Sequence, residues 1–124
     1  MSKSGIKWLP KPDEDDFDAA ESYLGLLFPK SAVKSYMKRL RGAGVVEIEA
    51  KDLFRASGLP SLPSSESHVA KDHAKILARK KLSPVIVLKA STAGRGKIVI
   101  ADGYHRLCAV YAFDEDARVP CRIV

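Results

Sequence analysis

Two nearly continuous apolar runs, at residues 84–88 and 97–101, constrain the fold of this chain more than any other feature. A strand with one face in water alternates apolar and polar side chains, whereas these runs hardly alternate. We therefore predict that both strands lie in the middle of a sheet that is covered on two sides. The link between them is short and contains Gly94 and Gly96, which predicts an antiparallel pair.

Helices and short strands account for most of the remaining chain. The acidic run at residues 13–16 is typical of a helix start, Ser31 is expected to cap a second helix, and Ser65 or Ser67 a later one. Pro120, near the start of the last strand, predicts an outer strand. The predicted helices cover residues 17–28, 31–41, 51–56, 67–80 and a segment after residue 103, and the further strands cover residues 45–48 and 119–124.

Charge and cysteine content narrow the class of protein. Lysine and arginine total 21 against 15 acidic residues, a formal charge of +6, which favours an anionic partner such as a nucleotide, a nucleic acid or an acidic protein. Cys108 and Cys121 are too few for a disulfide framework and lie in apolar runs, so we expect core thiols. No apolar stretch is long enough for a signal peptide or a membrane span, so we expect a cytoplasmic protein without membrane contact.

A sharp change from strand to helix is predicted at residues 102–106, which read Asp-Gly-Tyr-His-Arg. The first amides of a helix have no partner within it, and the helix dipole adds positive charge there. Gly103 lets the backbone turn and approach a ligand, while His105 and Arg106 bring polar groups to the same place. The predicted residues for a phosphate or similar anion are Gly103, Tyr104, His105 and Arg106.

Asp102 allows several interpretations. Its carboxylate would repel a phosphate unless it bound a metal ion, accepted a proton, or paired with His105 or Arg106. An aspartate before a helix is also a common N-cap residue, and Gly103 could serve only as the turn residue. The sequence leaves these roles open.

Basic residues cluster on two of the predicted helices. Lys71, Lys75 and Arg79 recur at i, i+4 and i+8, which predicts a basic stripe able to contact an anion or DNA. The helix at residues 31–41 and its flank carry further lysines and arginines, a pattern typical of a solvated face. His73 falls on the apolar face of its helix, so we expect it to be a packed core residue.

Three segments together resemble the ParB N-terminal and sulfiredoxin-like superfamily. The most specific part of the resemblance is the combination of Gly103, His105, Arg106 and Ala109. The segments are residues 82–88, 97–110 and 119–124.

The resemblance covers residues 45–124 and carries expectations about the fold. It implies an α/β protein of the α+β type, in which a small mixed sheet packs against helices. Residues 1–44 would then form an N-terminal helical extension packed on this core.

The resemblance also implies a ligand. In that superfamily the corresponding turn grips nucleotide phosphates, which implies ATP, ADP or CTP at residues 103–106. Sulfiredoxins place a reactive cysteine where this chain has Tyr104, so sulfiredoxin activity is not expected. ParB partition proteins bind cytidine nucleotides and carry a helix-turn-helix domain after this fold. No such module follows here, so we expect at most non-specific DNA contact.

The Asp-Gly-x-His-Arg form resembles members that bind adenine nucleotides, including a free-serine kinase. There an aspartate at this turn and a glutamate elsewhere assist phosphoryl transfer, usually with Mg²⁺. Asp102 matches the aspartate, but Glu47, Glu49 and Glu66 all remain candidates for the glutamate.

Two classes of function remain open. In the first, the protein is a phosphotransferase or nucleotide hydrolase in which Asp102 and His105 are catalytic. In the second, it is a non-enzymatic module that binds DNA or a protein partner.

Overall fold

The computed structural model describes residues 5–124 as four strands and six helices. The strands are β1 (Val45–Glu49), β2 (Val85–Leu88), β3 (Val99–Asp102) and β4 (Arg118–Ile123). The helices are α1 (Glu14–Leu24), α2 (Lys30–Gly42), α3 (Ala50–Ser57), α4 (Ser67–Leu77), α5 (Ala90–Ala93) and α6 (Tyr104–Phe113). The predicted α+β class is confirmed.

The four strands form one mixed sheet in the order β1-β4-β2-β3. β4 pairs antiparallel with β1 and parallel with β2, and β2 pairs antiparallel with β3. The predicted antiparallel pair is therefore confirmed. The prediction that both apolar runs lie mid-sheet holds for β2 only, because β3 is at an edge.

The prediction that β4 is an outer strand is wrong, because it lies between β1 and β2. Pro120 is compatible with this position. It stands opposite Glu47 of β1, while pairing with β2 begins only at Cys121, opposite Val85. At Pro120, β4 is therefore paired with one strand only, as an edge strand is.

Helices cover both faces of the sheet, as predicted. On one face Val85, Val87 and Ile100 pack into a buried cluster with residues of α3, α4 and α6. On the other face Ile86 and Leu88 pack into a second cluster with α1 and α2. Fully burying an Ile or Leu contributes roughly 1.5–3 kcal/mol, so each layer stabilises the sheet substantially.

Several helix ends differ from those predicted. α2 begins after Pro29 without a side-chain cap, so Ser31 is not the N-cap. α4 is capped by Glu66, whose carboxylate accepts hydrogen bonds from the amides of His68 and Val69. A carboxylate caps as well as a hydroxyl does, and it also complements the helix dipole.

α4 ends earlier than predicted, at Leu77 instead of near Lys80. Arg79 then takes a left-handed φ of 57°. The amide of Arg79 donates to Ile76 and the amide of Lys80 donates to Lys75, which is the Schellman pattern of helix termination. Leu77, the last residue of α4, is 64% exposed.

Within residues 5–124 every helix is too short or too polar to cross a bilayer. The longest of them, α2, has 13 residues.

Candidate functional site

The turn between β3 and α6 is built around Gly103. This residue has a φ of 103°, and a Cβ atom there would lie 2.8 Å from Arg106 Nη2 and 3.0 Å from Val85 Cγ2. Only glycine fits both the backbone angle and the space. The first hydrogen bond of α6 runs from the Leu107 amide to the Gly103 carbonyl, so the three amides before it have no acceptor in the helix. The helix start predicted from the sequence is confirmed.

The Arg106 side chain folds back beneath this turn and is only 15% exposed. Its Nε donates to the Ser83 carbonyl at 3.0 Å, and its Nη2 donates to Asp102 Oδ2 at 2.8 Å and to the Pro84 carbonyl at 3.4 Å. Asp16 Oδ2 lies 3.6 Å from the same nitrogen. Most of the guanidinium fork is therefore engaged with the protein itself.

Asp102 is paired with Arg106, one of the roles that the sequence left open. Burial raises the pKa of its carboxyl above the ordinary 3.8, and the negative charges of Asp16 and Asp72 act in the same direction. The hydrogen bond and charge of Arg106 oppose that rise. The N-cap of α6 is Gly103, so the alternative in which Asp102 caps this helix is wrong.

His105 meets a second histidine and a carboxylate. Its ring lies 4.8 Å, centroid to centroid, from the ring of His68. His68 Nδ1 in turn lies 2.9 Å from Glu66 Oε1. One side-chain ligand atom from each of these three residues lies within 4.8 Å of the other two. We call Glu66, His68 and His105 the histidine cluster.

Tyr104 and Cys108 lie about one helical turn apart at the start of α6. The Tyr104 hydroxyl donates to the Pro60 carbonyl at 2.5 Å, which ties α6 to the loop before α4. Cys108, one turn further on, is completely buried. Burial raises the pKa of its thiol, and burial raises that of Cys121 to about 12. Both are free core thiols, as predicted.

Two surface cavities share the wall formed by residues 102–105. The smaller, of about 180 Å³, is also lined by His68, Lys71, Asp72 and Arg106. The larger, of about 410 Å³, is also lined by Ala19, Tyr23, Leu59, Ile100 and Ala101. A polar concavity therefore adjoins a mainly apolar one at the start of α6.

No protein-family model matches this chain, and neither does any curated protein or solved structure. The resemblance to the ParB and sulfiredoxin-like superfamily therefore stays a prediction that rests on the residues alone. So does the division of the chain at residue 44. A buried cluster shared by α1, α2 and the sheet crosses that division.

The predicted basic stripe does not form one helix face. Lys71 lines the smaller cavity. Lys75 lies on the next turn, where its Nζ is 3.7 Å from Asp72. Arg79 lies beyond the end of α4, in the left-handed residue that terminates it. His73, predicted to be buried, is only half-buried and lies near Phe113.

Of the three candidate glutamates, Glu66 alone lies at the turn. Glu47 and Glu49 are in β1, at the edge of the sheet opposite β3. Sequence reasoning missed His68 as a neighbour of His105, because no spacing pattern links two histidines on different helices.

Asp16 and Ser83 were also missed as partners of Arg106. For Asp16 a signal did exist: it precedes Ala20 and Leu24 by four and eight residues, and both are completely buried. A carboxylate on the buried face of a helix requires a cationic or hydrogen-bonding partner.

Proposed function

We propose that the protein binds a nucleotide or a similar phosphate compound at the start of α6. The observation that carries the proposal is the pair of adjoining cavities that share residues 102–105. The phosphate would occupy the smaller cavity and the organic part of the ligand the larger.

The smaller cavity offers the groups that an anion needs. The amides of Tyr104, His105 and Arg106 precede the first hydrogen bond of α6, and the positive end of the helix dipole lies there. Lys71 on the facing helix adds a full positive charge at the cavity wall. The carboxylates nearby are offset: Asp102 pairs with Arg106, and Asp72 lies 3.7 Å from Lys75.

The larger cavity offers apolar surface for a base or a comparable ring. Leu59 and Ile100 supply aliphatic contacts and Tyr23, which is 45% exposed, supplies an aromatic ring. Binding sites for small molecules commonly combine such apolar walls with a few converging polar groups.

Arg106 acts in this proposal mainly as a positioning residue. Its Nε and Nη2 hold the carbonyls of Ser83 and Pro84 and the carboxylate of Asp102, and thereby fix the turn that presents the amides. If phosphoryl transfer occurs, Asp102 is the candidate base or Mg²⁺ ligand. Burial raises the pKa of its carboxyl above the ordinary value, which makes the carboxylate a stronger base.

Thermal unfolding in the presence of ATP, ADP, CTP or inorganic phosphate, each with and without Mg²⁺, tests the proposal. A ligand at a hundred times its dissociation constant stabilises the folded state by about 2.7 kcal/mol, which is a measurable rise in melting temperature. Lys71→Ala should reduce that rise. Lys38→Ala is the matched control, because it removes the same charge from an exposed lysine of α2, which packs on the opposite face of the sheet.

Distinct results would contradict the proposal. If none of these compounds raises the melting temperature, the site does not bind nucleotides. If Lys38→Ala reduces the rise as much as Lys71→Ala does, the effect reflects the overall charge instead of the cavity. Bound nucleotide that is never hydrolysed or transferred would leave a binding protein and exclude the enzyme.

DNA binding is a second candidate, favoured by the exposure of three basic residues along and just after α4, Lys71, Lys75 and Arg79. The lysine-rich α2 does not extend this surface, because α2 and α4 pack on opposite faces of the sheet. Binding to a duplex through these phosphate contacts should weaken steeply with salt and weaken further in Lys75→Glu. Absence of binding at low salt would exclude it.

A further inference from the structure

We propose that the histidine cluster, Glu66, His68 and His105, binds a divalent transition-metal ion, with Zn²⁺ as the best match. This inference does not depend on nucleotide binding, because it concerns only the side chains that connect the starts of α4 and α6. Two imidazoles and one carboxylate form a ligand set that suits Zn²⁺ and leaves a position open for water or substrate.

The distances are short enough for one ion. One ligand atom from each residue lies within 4.8 Å of the other two. Zn²⁺ binds imidazole nitrogen and carboxylate oxygen at about 2.0–2.2 Å, so ligands around one ion are roughly 3.5 Å apart. The side chains need to move by about 1 Å or slightly more to close on the ion. The His68 side chain is 70% exposed and can make such a movement.

The imidazole of His105 is available as a ligand. Within residues 5–124 the His105 ring makes no hydrogen bond or ion pair, and its only ring neighbours are His68 and Tyr104. A half-buried imidazole without a polar partner retains its lone pair for a metal. A metal ion between the two facing rings would be bound by a nitrogen lone pair of each ring.

The carboxylate is held in place and charged. The amides of His68 and Val69 donate to Glu66 at 3.1 Å each, which fixes the carboxylate at the start of α4. A preorganised anionic oxygen beside two imidazoles binds a metal at a smaller entropic cost than mobile ligands do.

The position of the cluster suggests what the metal would contact. His68 and His105 line the smaller cavity together with Lys71. An ion bound to them would therefore present its open coordination position to that cavity, where a water molecule or an anionic oxygen could bind it. Mg²⁺ is a poorer match, because it prefers oxygen ligands.

Calorimetric titration of ZnCl₂ into tag-free protein, previously treated with EDTA and dialysed, tests this proposal without any nucleotide. We expect one Zn²⁺ per chain, and Co²⁺ in its place should give the visible absorption bands of a bound ion. His68→Ala, His105→Ala and Glu66→Gln should each weaken binding at least about tenfold. Glu66→Gln keeps an amide oxygen for the helix cap, so the fold is retained.

The third histidine of the chain provides the matched control. His73 lies on α4 but outside the cluster, so His73→Ala should bind Zn²⁺ like the unchanged protein. Absence of Zn²⁺ binding by the unchanged protein would overturn the proposal and leave Glu66 as a helix cap paired with His68. Equal loss in His73→Ala would also overturn it. Nucleotide binding without Zn²⁺ binding would contradict this inference alone.

Discussion

A single guanidinium joins three separate parts of the chain at the candidate site. Arg106 on α6 contacts Asp102 at the end of β3, Asp16 on α1 and the carbonyl of Ser83 before β2. These contacts cross between the two helical layers, because α1 and α6 pack on opposite faces of the sheet. The residue expected to grip a ligand is therefore also part of the framework.

We expect Arg106→Ala to destabilise the fold by about 3 kcal/mol, because it leaves the carboxylates of Asp102 and Asp16 without their buried cation. Denaturant unfolding measures the change. Arg55→Ala is the control, since Arg55 is 82% exposed and its ion pair with Asp52 is worth less than about 1 kcal/mol. Equal stability of the two variants would show that the Arg106 contacts contribute little. Because Arg106→Ala is expected to weaken the fold itself, a loss of ligand binding in this variant does not by itself show where the ligand binds.

Sequence reasoning at this scale identified the turn and included the Asp102–Arg106 pair among its alternatives, but it missed Asp16 and Ser83. Gly103 was predictable, because a strand that changes abruptly into a helix needs a residue free to take positive φ. The pairing of Arg106 with Asp16 was not, because 90 residues separate them and only the packing of α1 brings them together. Glu66, His68 and His105 meet for the same reason.

Helix ends were harder to predict than helices. No glycine occurs between Leu77 and Lys80, so the expected helix continued to Lys80. The structure instead terminates α4 with Arg79 in the left-handed conformation that glycine normally supplies. Strand order was also only partly predictable. The apolar character of β3 results from the helices that cover its two faces, and it does not indicate which strands pair with its edges.

Arg79→Gly should stabilise the protein by up to about 1 kcal/mol, because glycine takes the left-handed conformation without the strain that a side chain imposes. The midpoint of denaturant unfolding should rise accordingly. Arg79→Ala separates backbone from side chain: it keeps the strain and should leave the midpoint nearly unchanged. A gain in Arg79→Ala equal to that in Arg79→Gly would attribute the effect to the lost charge.

At the scale of the whole molecule, the sheet depends on both helical layers. The face made by Ile86, Leu88, Val99 and Ala101 is buried only because α1 and α2 cover it. The sequence predicted this double cover from two short apolar runs, which is the clearest case in which local pattern determined global architecture.

We expect residues 45–124 alone not to unfold cooperatively, because several fully buried side chains become exposed when α1 and α2 are absent. Each contributes roughly 1.5–3 kcal/mol, against a total stability of about 5–15 kcal/mol for a typical protein. Circular dichroism during thermal unfolding, compared with the full chain, measures the loss. A sharp transition in the shorter chain would instead show that residues 45–124 fold independently.

Trp8 forms a β-bridge with Leu82, just before β2. The Leu9 amide donates to the Leu82 carbonyl, and the Leu82 amide donates to the Lys7 carbonyl. Its indole packs against the cluster that contains α4 and α6, although α1, which follows shortly after, packs on the opposite face. As the chain has one tryptophan, its fluorescence comes from a single known location. A red shift of that emission therefore marks the moment when the N-terminal segment detaches and water reaches the indole.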